Sequence, residues 1–441
     1  MANEGNPIRI LCVSPLFAPA ADSEAFCAAK LVRAVAEAGA EVKVLTSESI
    51  RSKDRAFDVS ELWKTTEQLV VDVPQPTGRE KVRSLTAAVR YQTKFYSRWV
   101  ADAVREAVRL HGERKFDLVY SRSLPMIGHV VGYWCAKLFE VPWIANINDP
   151  WEFHFVPGLA YPKTSSLNEA AYLFWLKRTL READLVTYPC QQLHKFHEKL
   201  SGVPHEAQIV PHIGTRSVSK PAGSAKANEF RLVHAGKLGT SEITGRSSNA
   251  LLLALREFLN AHEEAKEITK LVLVGQKDNA TTALVESLGL QNNVEVVGRV
   301  SYEESLHYIA SASACVLVEA DFAEGMFFPS KLADYLAARK PVLALSPRTG
   351  VVADFSTQGG IYRVGCKDAN AIQAALESLY QDFMLDDLRS AGPSEALVQQ
   401  FEPATVAQNF LTAVDSLMPS ARHRVLGSYD LAHTDTVHAI Q

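Results

Sequence analysis

The chain has 441 residues, 47% of them hydrophobic and 22% charged, long enough for two or three domains with real cores. Lys and Arg number 46 against 50 Asp and Glu, a net charge of −4. This balance excludes a disordered chain, a coiled coil, a collagen-like fibre and a nucleic-acid-coating protein.

The opening MANEGNPIRI lacks the basic-then-apolar pattern of a signal peptide. The most apolar region, 124–147, is interrupted by His129, Lys137 and Glu140, so it does not read as a membrane span. Cys12, Cys27, Cys135, Cys190, Cys315 and Cys366 are scattered, with no Cys-x-x-Cys. They read as reduced, buried thiols of a cytoplasmic protein, with neither disulfide nor metal expected.

Strands and helices alternate from the start. Ile8–Ser14 is a short β-rich run, followed by a Pro-rich turn, a helix from Ser23 to about Ala38, and a strand at Glu41–Thr46. A long amphipathic helix is expected within Val82–Leu110. Strands follow at Phe116–Tyr120, Pro142–Asn148, Leu185–Tyr188 and Gln208–Pro211, with a helix at Ile127–Phe139. The polar, Pro/Gly-containing stretch 218–228 reads as a linker. The alternation then restarts, with strands at Phe230–Ala235, Lys270–Gly275, Val294–Gly298, Ala314–Val318 and Pro341–Leu345 and helices between them. The expectation is an α/β protein of two doubly wound, Rossmann-like domains, residues 1–217 and 229–400, facing across a cleft. A helix at 401–418 and a mobile polar tail at 419–441 complete it.

In such sheets ligands bind beyond the carboxyl ends of the strands. Four places carry unusual residues. His234-Ala235-Gly236-Lys237 follows the first strand of the second domain, and Arg246 stands before a helix; together they suit a diphosphate, or are a Gly turn with solvated cations. Pro329-Ser330-Lys331 starts a helix whose amides suit an anion, and Asp334 suits a ribose diol or a surface Lys–Asp pair. Asn148, Asp149 and Trp151 at a strand end suit sugar or acceptor hydroxyls, or are an Asp-Pro turn. His154 beside them reads as an ordinary surface or helix residue. In Arg79–Lys115 basic side chains outnumber acidic ones and aromatics are interleaved, which suits either an anionic membrane surface or a core-facing helix with a solvated basic face.

The segment PSKLADYLAARKPVLA, with IRILCVSPLFAP, NDPW, IVPHIG and the run FRLVHAGKLG through LVLVG to VEVVGRVSYEES, resembles family 4 glycosyltransferases over about residues 7–415. That family is of the retaining, group 1 type with the GT-B fold. The resemblance implies transfer of a sugar from a nucleotide-diphosphate sugar, UDP-sugar favoured, to a hydroxyl acceptor, without an essential metal or cofactor, in glycan or polysaccharide biosynthesis.

It also implies residue roles. The phosphate-holding basic pair matches Lys237 and Arg246, in swapped order and with a longer loop. The ribose carboxylate matches Asp334, an Asp in place of Glu. The other carboxylate of that pair falls at Met326, with Glu324 two residues earlier. Gly236, Arg299, Val300, Ser330 and Lys331 complete the donor set. The Gly-rich turn after strand one is replaced here by a stretch containing Ala21 and Ser23. A catalytic-site His of some relatives corresponds to Asn148 or Asp149, and Asp149 fits the Asp-x-Trp pattern. The acceptor is a glycan, a lipid-linked molecule or a small molecule, with peripheral contact at the inner membrane face suggested by Arg79–Lys115. The competing readings are a sugar-nucleotide epimerase of the same fold, which would act on the donor alone, and a non-catalytic nucleotide-sugar binder.

Overall fold

The computed structural model describes residues 7–20, 22–47, 70–73, 88–90, 92, 97–150, 155–158, 165–215, 228–236, 238, 245–277 and 279–424. Its first sheet contains β1 (Arg9–Val13), β2 (Glu41–Ser47), β3 (Val70–Val73), β4 (Leu118–Ser123), β5 (Trp143–Ile147), β6 (Leu185–Tyr188) and β7 (Ala207–Ile209), in the order β3-β2-β1-β4-β5-β6-β7. The second contains β8 (Phe230–Ala235), β9 (Thr269–Val274), β10 (Val294–Gly298), β11 (Ala314–Val318), β12 (Val342–Leu345) and β13 (Ile361–Val364), in the order β10-β9-β8-β11-β12-β13. Every pairing is parallel. The central strands are mostly apolar and are buried along their whole length, as strands covered on both faces require.

Two strands escape the sequence reading, β3 and β13. Each is an edge strand of four residues, VVDV and IYRV, half-buried and polar in the middle. An edge strand needs too little burial to write a clear apolar pattern.

The helices that position the crevice follow local rules. Helix α1 (Ser23–Glu37) starts at Asp22, whose carboxylate accepts from the Glu24 amide at 2.9 Å. Helix α2 (Ser97–Glu113) turns Trp99, Val100, Ala103, Val104, Ala107 and Leu110 into the core. Its Arg98 and Arg105 pair with Asp102, and Arg109 with Glu106. This is the core-facing alternative for that stretch; residues 79–87, 91 and 93–96 lie outside the described residues. Helix α3 (Ile127–Phe139) lies tight on β4, since a Cβ at Gly128 would stand 2.3 Å from the Arg122 carbonyl. Helices α4 (Ser166–Glu182) and α5 (Gln191–Ser201) flank β6.

The second domain carries α6 (Asn249–Ala261), α7 (Asn279–Ser287), α8 (Tyr302–Ser311), α9 (Ser330–Ala337), α10 (Val351–Ser356), α11 (Ala369–Met384) and α12 (Glu395–Gln399). Helix α13 (Pro403–Arg424) then returns to the first domain and runs past the expected end of the ordered chain. Its Val406, Ala407, Phe410, Ala413 and Val414 share a core with Leu31 and Val35 of α1, and Phe410 meets Tyr120 edge-on at 4.9 Å. The expected linker lies almost wholly outside the described residues, as do 425–441.

One apolar cluster joins the two domains. His212 packs against Phe328 at 5.1 Å and Phe328 against Phe401 at 5.5 Å. Gly214 lies against α9, where a Cβ would stand 2.3 Å from the Ala333 carbonyl.

Phe410→Ala removes the aromatic plug between α13 and the first domain. It is expected to cost about 3–5 kcal/mol in urea denaturation. A cost below about 1 kcal/mol would mean that α13 adds little to that core.

Candidate active site

The strand order reverses between β1 and β4 in the first sheet and between β8 and β11 in the second. Crevices of open parallel sheets form at such switch points, outside the carboxyl ends of the strands. Charged groups collect at both.

In the first domain Glu24, at the start of α1, is buried against Arg122 at the end of β4, with an ion-pair distance of 2.9 Å. Arg122 also donates to the Tyr120 hydroxyl at 2.8 Å. The Asn148 amide donates to the second Glu24 oxygen. Burial pushes the Glu24 pKa up to about 7, against the pull of Arg122 and Asn148. Asp149 follows Asn148. Burial and then Glu24 push its pKa up to about 7, while Arg246 of the second domain pulls it down. That coupling brings Arg246 and Asp149 to one crevice.

In the second domain His234, at the end of β8, is held through Nδ1 to the Val316 carbonyl at 2.9 Å. A carbonyl only accepts, so Nδ1 carries the proton and the buried, unpartnered Nε2 carries a lone pair. Burial lowers the His234 pKa to about 4. Gly236 and Gly275 cross closely: Gly275 has φ +154°, and a Cβ there would stand 1.9 Å from the Gly236 carbonyl. His234, Gly236, Leu238, Gly275, Gln276 and Thr281 line a hollow beside them. Arg246 is exposed ahead of α6. Glu319, at the end of β11, is buried and accepts from the Ser346 hydroxyl; burial pushes its pKa up to about 7, with Arg246 opposing. Helix α9 begins at Ser330 with no side chain capping it, which leaves its first amides for an anion. Lys331 is half-buried; burial lowers its pKa, with Asp334 opposing.

Asp334 has partners other than the ribose hydroxyls that the family resemblance implies. Its Oδ1 accepts from Lys30 Nζ of α1 at 2.7 Å, from the Thr215 amide at 2.9 Å and from the Tyr302 hydroxyl at 3.3 Å. Lys30 also donates to the Ile213 carbonyl at 3.0 Å and lies over the Tyr302 ring. Phe26 stacks on that ring at 4.7 Å. Asp334 is 3% exposed and Lys30 8%. Burial alone would lower the Lys30 pKa, but Asp334 and Tyr302 outweigh it and the net shift is upward. Asp334 is thus no surface partner of Lys331; it pins the second domain to the first.

The other expected residues are distributed as follows. Met326 is buried, and its carbonyl accepts from Cys190 Sγ at 3.3 Å, so its backbone joins the domain contact. Glu324 is exposed on the same loop, as are Ser23 at the start of α1 and Arg299 after β10; Val300 is half-buried. Ala21, Trp151, His154 and Lys237 lie outside the described residues. The sequence reading missed Glu24, Arg122, Lys30, Tyr302 and Glu319 as site residues. A signal was present for three of them. Lys30 interrupts an Ala-rich apolar helix face, Arg122 ends a buried strand and Glu319 follows one, and buried charges of this kind need partners.

Two family models match the chain: a glycosyl transferase 4-like domain over residues 25–212 and glycosyl transferases group 1 over residues 249–392. The chain belongs to the family 4, group 1 glycosyltransferases. Several solved structures share its GT-B fold. Sucrose-phosphate synthase from Thermosynechococcus elongatus is 17% identical with a TM-score of 0.64, over 94% of this chain and 100% of that one. HepE from Anabaena, solved with UDP and glucose, is 15% identical with a TM-score of 0.61, over 93% and 100%. A putative UDP-N-acetylglucosamine 2-epimerase from Listeria monocytogenes is 12% identical with a TM-score of 0.58, over 94% and 97%. No curated protein matches the sequence. The protein is a nucleotide-sugar glycosyltransferase, and no helix among the described residues is long and apolar enough to cross a membrane.

Two outcomes follow for this glycosyltransferase. Lys30→Met leaves the Asp334 carboxylate buried without its cation and is expected to cost about 3–5 kcal/mol in chemical denaturation. Adding Asp334→Leu should restore most of that loss; a single variant as stable as the wild type would remove the pin. The second outcome concerns pH. A raised carboxyl pKa makes the folded state hold its proton longer than the unfolded chain, so its contribution to stability falls between about pH 4.5 and 7. Glu319→Gln lacks that fall. Its melting temperature relative to the wild type should rise across this window, by on the order of 1–3 kcal/mol in stability, and level off above it. A pH-independent difference would mean that Glu319 ionises as an ordinary carboxylate.

Proposed function

We propose that this enzyme moves a sugar from a UDP-sugar to a hydroxyl acceptor with retention of configuration, in the building of a glycan or polysaccharide. The reading rests on one arrangement: exposed Arg246, ahead of α6, lies near both Asp149 after β5 of the first sheet and Glu319 after β11 of the second. The UDP and UDP-glucose complexes of HepE support the choice of donor.

The leaving group is a nucleoside diphosphate, whose negative charge grows as the sugar departs. Arg246, Lys237 and the first amides of α9 at Ser330 and Lys331 stabilise that charge, and no metal is required for it. The base enters the hollow beside Gly236 and Gly275, where His234 Nε2 offers a buried acceptor. Arg299 and Val300 follow β10, whose Val296 lines the hollow. The acceptor hydroxyl attacks the face that the diphosphate leaves, and a diphosphate oxygen takes its proton. Asp149, with a pKa near neutrality, holds a sugar or acceptor hydroxyl, and Asn148 is tied to Glu24 behind it. Glu324 is exposed on the loop after β11. Closed domains limit hydrolysis of the donor.

The test is a thermal-shift series with UDP, GDP, dTDP, ADP and CMP, followed by a transfer assay with the sugar nucleotides of the stabilising base. UDP at about 100 times its Kd should add about 2.7 kcal/mol of stability. Arg246→Ala should lower kcat by roughly 10²–10³-fold and weaken the UDP response. Stabilisation by none of the nucleotides, or an unimpaired Arg246→Ala enzyme, would refute the proposed donor site. Turnover of the donor without any acceptor would favour the epimerase reading.

A further inference from the structure

Away from the crevice, three side chains with metal-ligand chemistry converge on α5 and the turn after it. His194 and Glu198 lie one helical turn apart and so share a face. Gly202, at φ +65°, ends the helix and reverses the chain, which brings His205 back toward that face. One ligand atom from each of His194, Glu198 and His205 lies within 4.8 Å of the others. His194 Nε2 stands 3.6 Å from a Glu198 oxygen, and the two imidazoles meet edge to face with centroids 4.9 Å apart.

The hydrogen bonds around the cluster hold both rings in place, and one of them, from the Tyr188 hydroxyl to His205 Nε2, is replaced when a metal binds. His205 Nδ1 is 3.0 Å from the Val203 carbonyl, so Nδ1 carries the proton and Nε2 the lone pair. That lone pair faces the Tyr188 hydroxyl at 2.9 Å. Anchoring a ring nitrogen to a backbone carbonyl is how a metal-ligating imidazole is commonly oriented. His194 Nδ1 is 3.0 Å from the Gln191 side-chain nitrogen, which donates to it, so metal binding at Nε2 moves that ring's proton to Nδ1 and turns the Gln191 amide over. His194 Nε2 itself is buried and has no hydrogen-bond partner.

We propose that His194, Glu198 and His205 form a zinc site of the first domain, with water in the fourth position. Two imidazoles and a carboxylate are a donor set that Zn²⁺ takes. Ligands about 2.0–2.1 Å from zinc stand roughly 3.3 Å apart, so the His194–Glu198 pair is already close to the required spacing. Glu198, more exposed than His194, closes the site by rotating its side chain. The ion clips the end of α5 to the turn before β7. The start of α5 is where Cys190 bonds the Met326 carbonyl and Gln192 bonds Asp354 at 2.5 Å, both across the domain contact. The clip therefore stiffens the helix on which the second domain rests, and it takes no part in the transfer step.

The experiment titrates the metal-free, tag-free full chain with Zn²⁺ against a chromophoric chelator, and with Co²⁺ read by its visible absorption. One equivalent should bind, Co²⁺ should give a tetrahedral spectrum, and Zn²⁺ should raise the melting temperature. His194→Gln and His205→Gln, which keep polar partners for Gln191 and Tyr188, should each weaken Zn²⁺ binding by on the order of 100-fold. If either variant fails to unfold cooperatively, Glu198→Gln at the more exposed position gives the same reading. Absence of stoichiometric binding by the folded wild type would overturn the site. So would equal binding by the double variant His194→Gln/His205→Gln, which would leave an adventitious ion only.

Discussion

A single buried ion pair sets how the two halves of this glycosyltransferase meet. Lys30 comes from the first helix of the chain and Asp334 from a helix of the second domain, yet their charged atoms are 2.7 Å apart and almost fully shielded from water. Two charges taken out of water cost several kcal/mol each, and their attraction offsets this only when the remaining hydrogen-bonding capacity is met. Here it is met: the Thr215 amide and the Tyr302 hydroxyl also reach Asp334, and the Ile213 carbonyl also reaches Lys30. The partners come from both domains and from the segment between β7 and the second sheet. The pair therefore contributes position more than net stability. A domain arrangement that separated Lys30 from Asp334 would leave a bare charge on each side.

That arrangement determines the electrostatics of the crevice. Glu24, Asp149 and Glu319 each have a pKa pushed up to about 7 by burial. Opposing cations are few: Arg122 neutralises Glu24, and exposed Arg246 acts on Asp149 and Glu319 together. A crevice where burial disfavours the carboxylate anions and the cation is accessible suits an incoming diphosphate, which competes for the Arg with weakly held partners. Uncapped amides at the start of α9 add donors fixed by the helix itself.

Much of the fold was legible in the sequence. The runs of β1, β5, β8 and β11 are mostly apolar because they are buried on both faces, and the helices between them carry a clear stripe. The short edge strands β3 and β13 were not legible, because half-buried edges need no such runs. The site was legible where a loop after a strand or a helix start carried the signal, as at Asn148–Asp149, Arg246 and Ser330. It was not legible where a residue's meaning depends on a partner far along the chain. Asp334 sits at a position the resemblance assigns to ribose, and nothing local indicates Lys30, which approaches from the other domain. The cluster of His194, Glu198 and His205 was not legible for a related reason: His205 joins the other two only through the turn at Gly202.

The most direct test of this account is a crystal structure of the enzyme with UDP. The account predicts the diphosphate between Arg246 and the first turn of α9, with Asp334 still on Lys30. A ribose bound to Asp334, with Lys30 displaced from it, would contradict the account and make this carboxylate a donor ligand rather than a pin between domains.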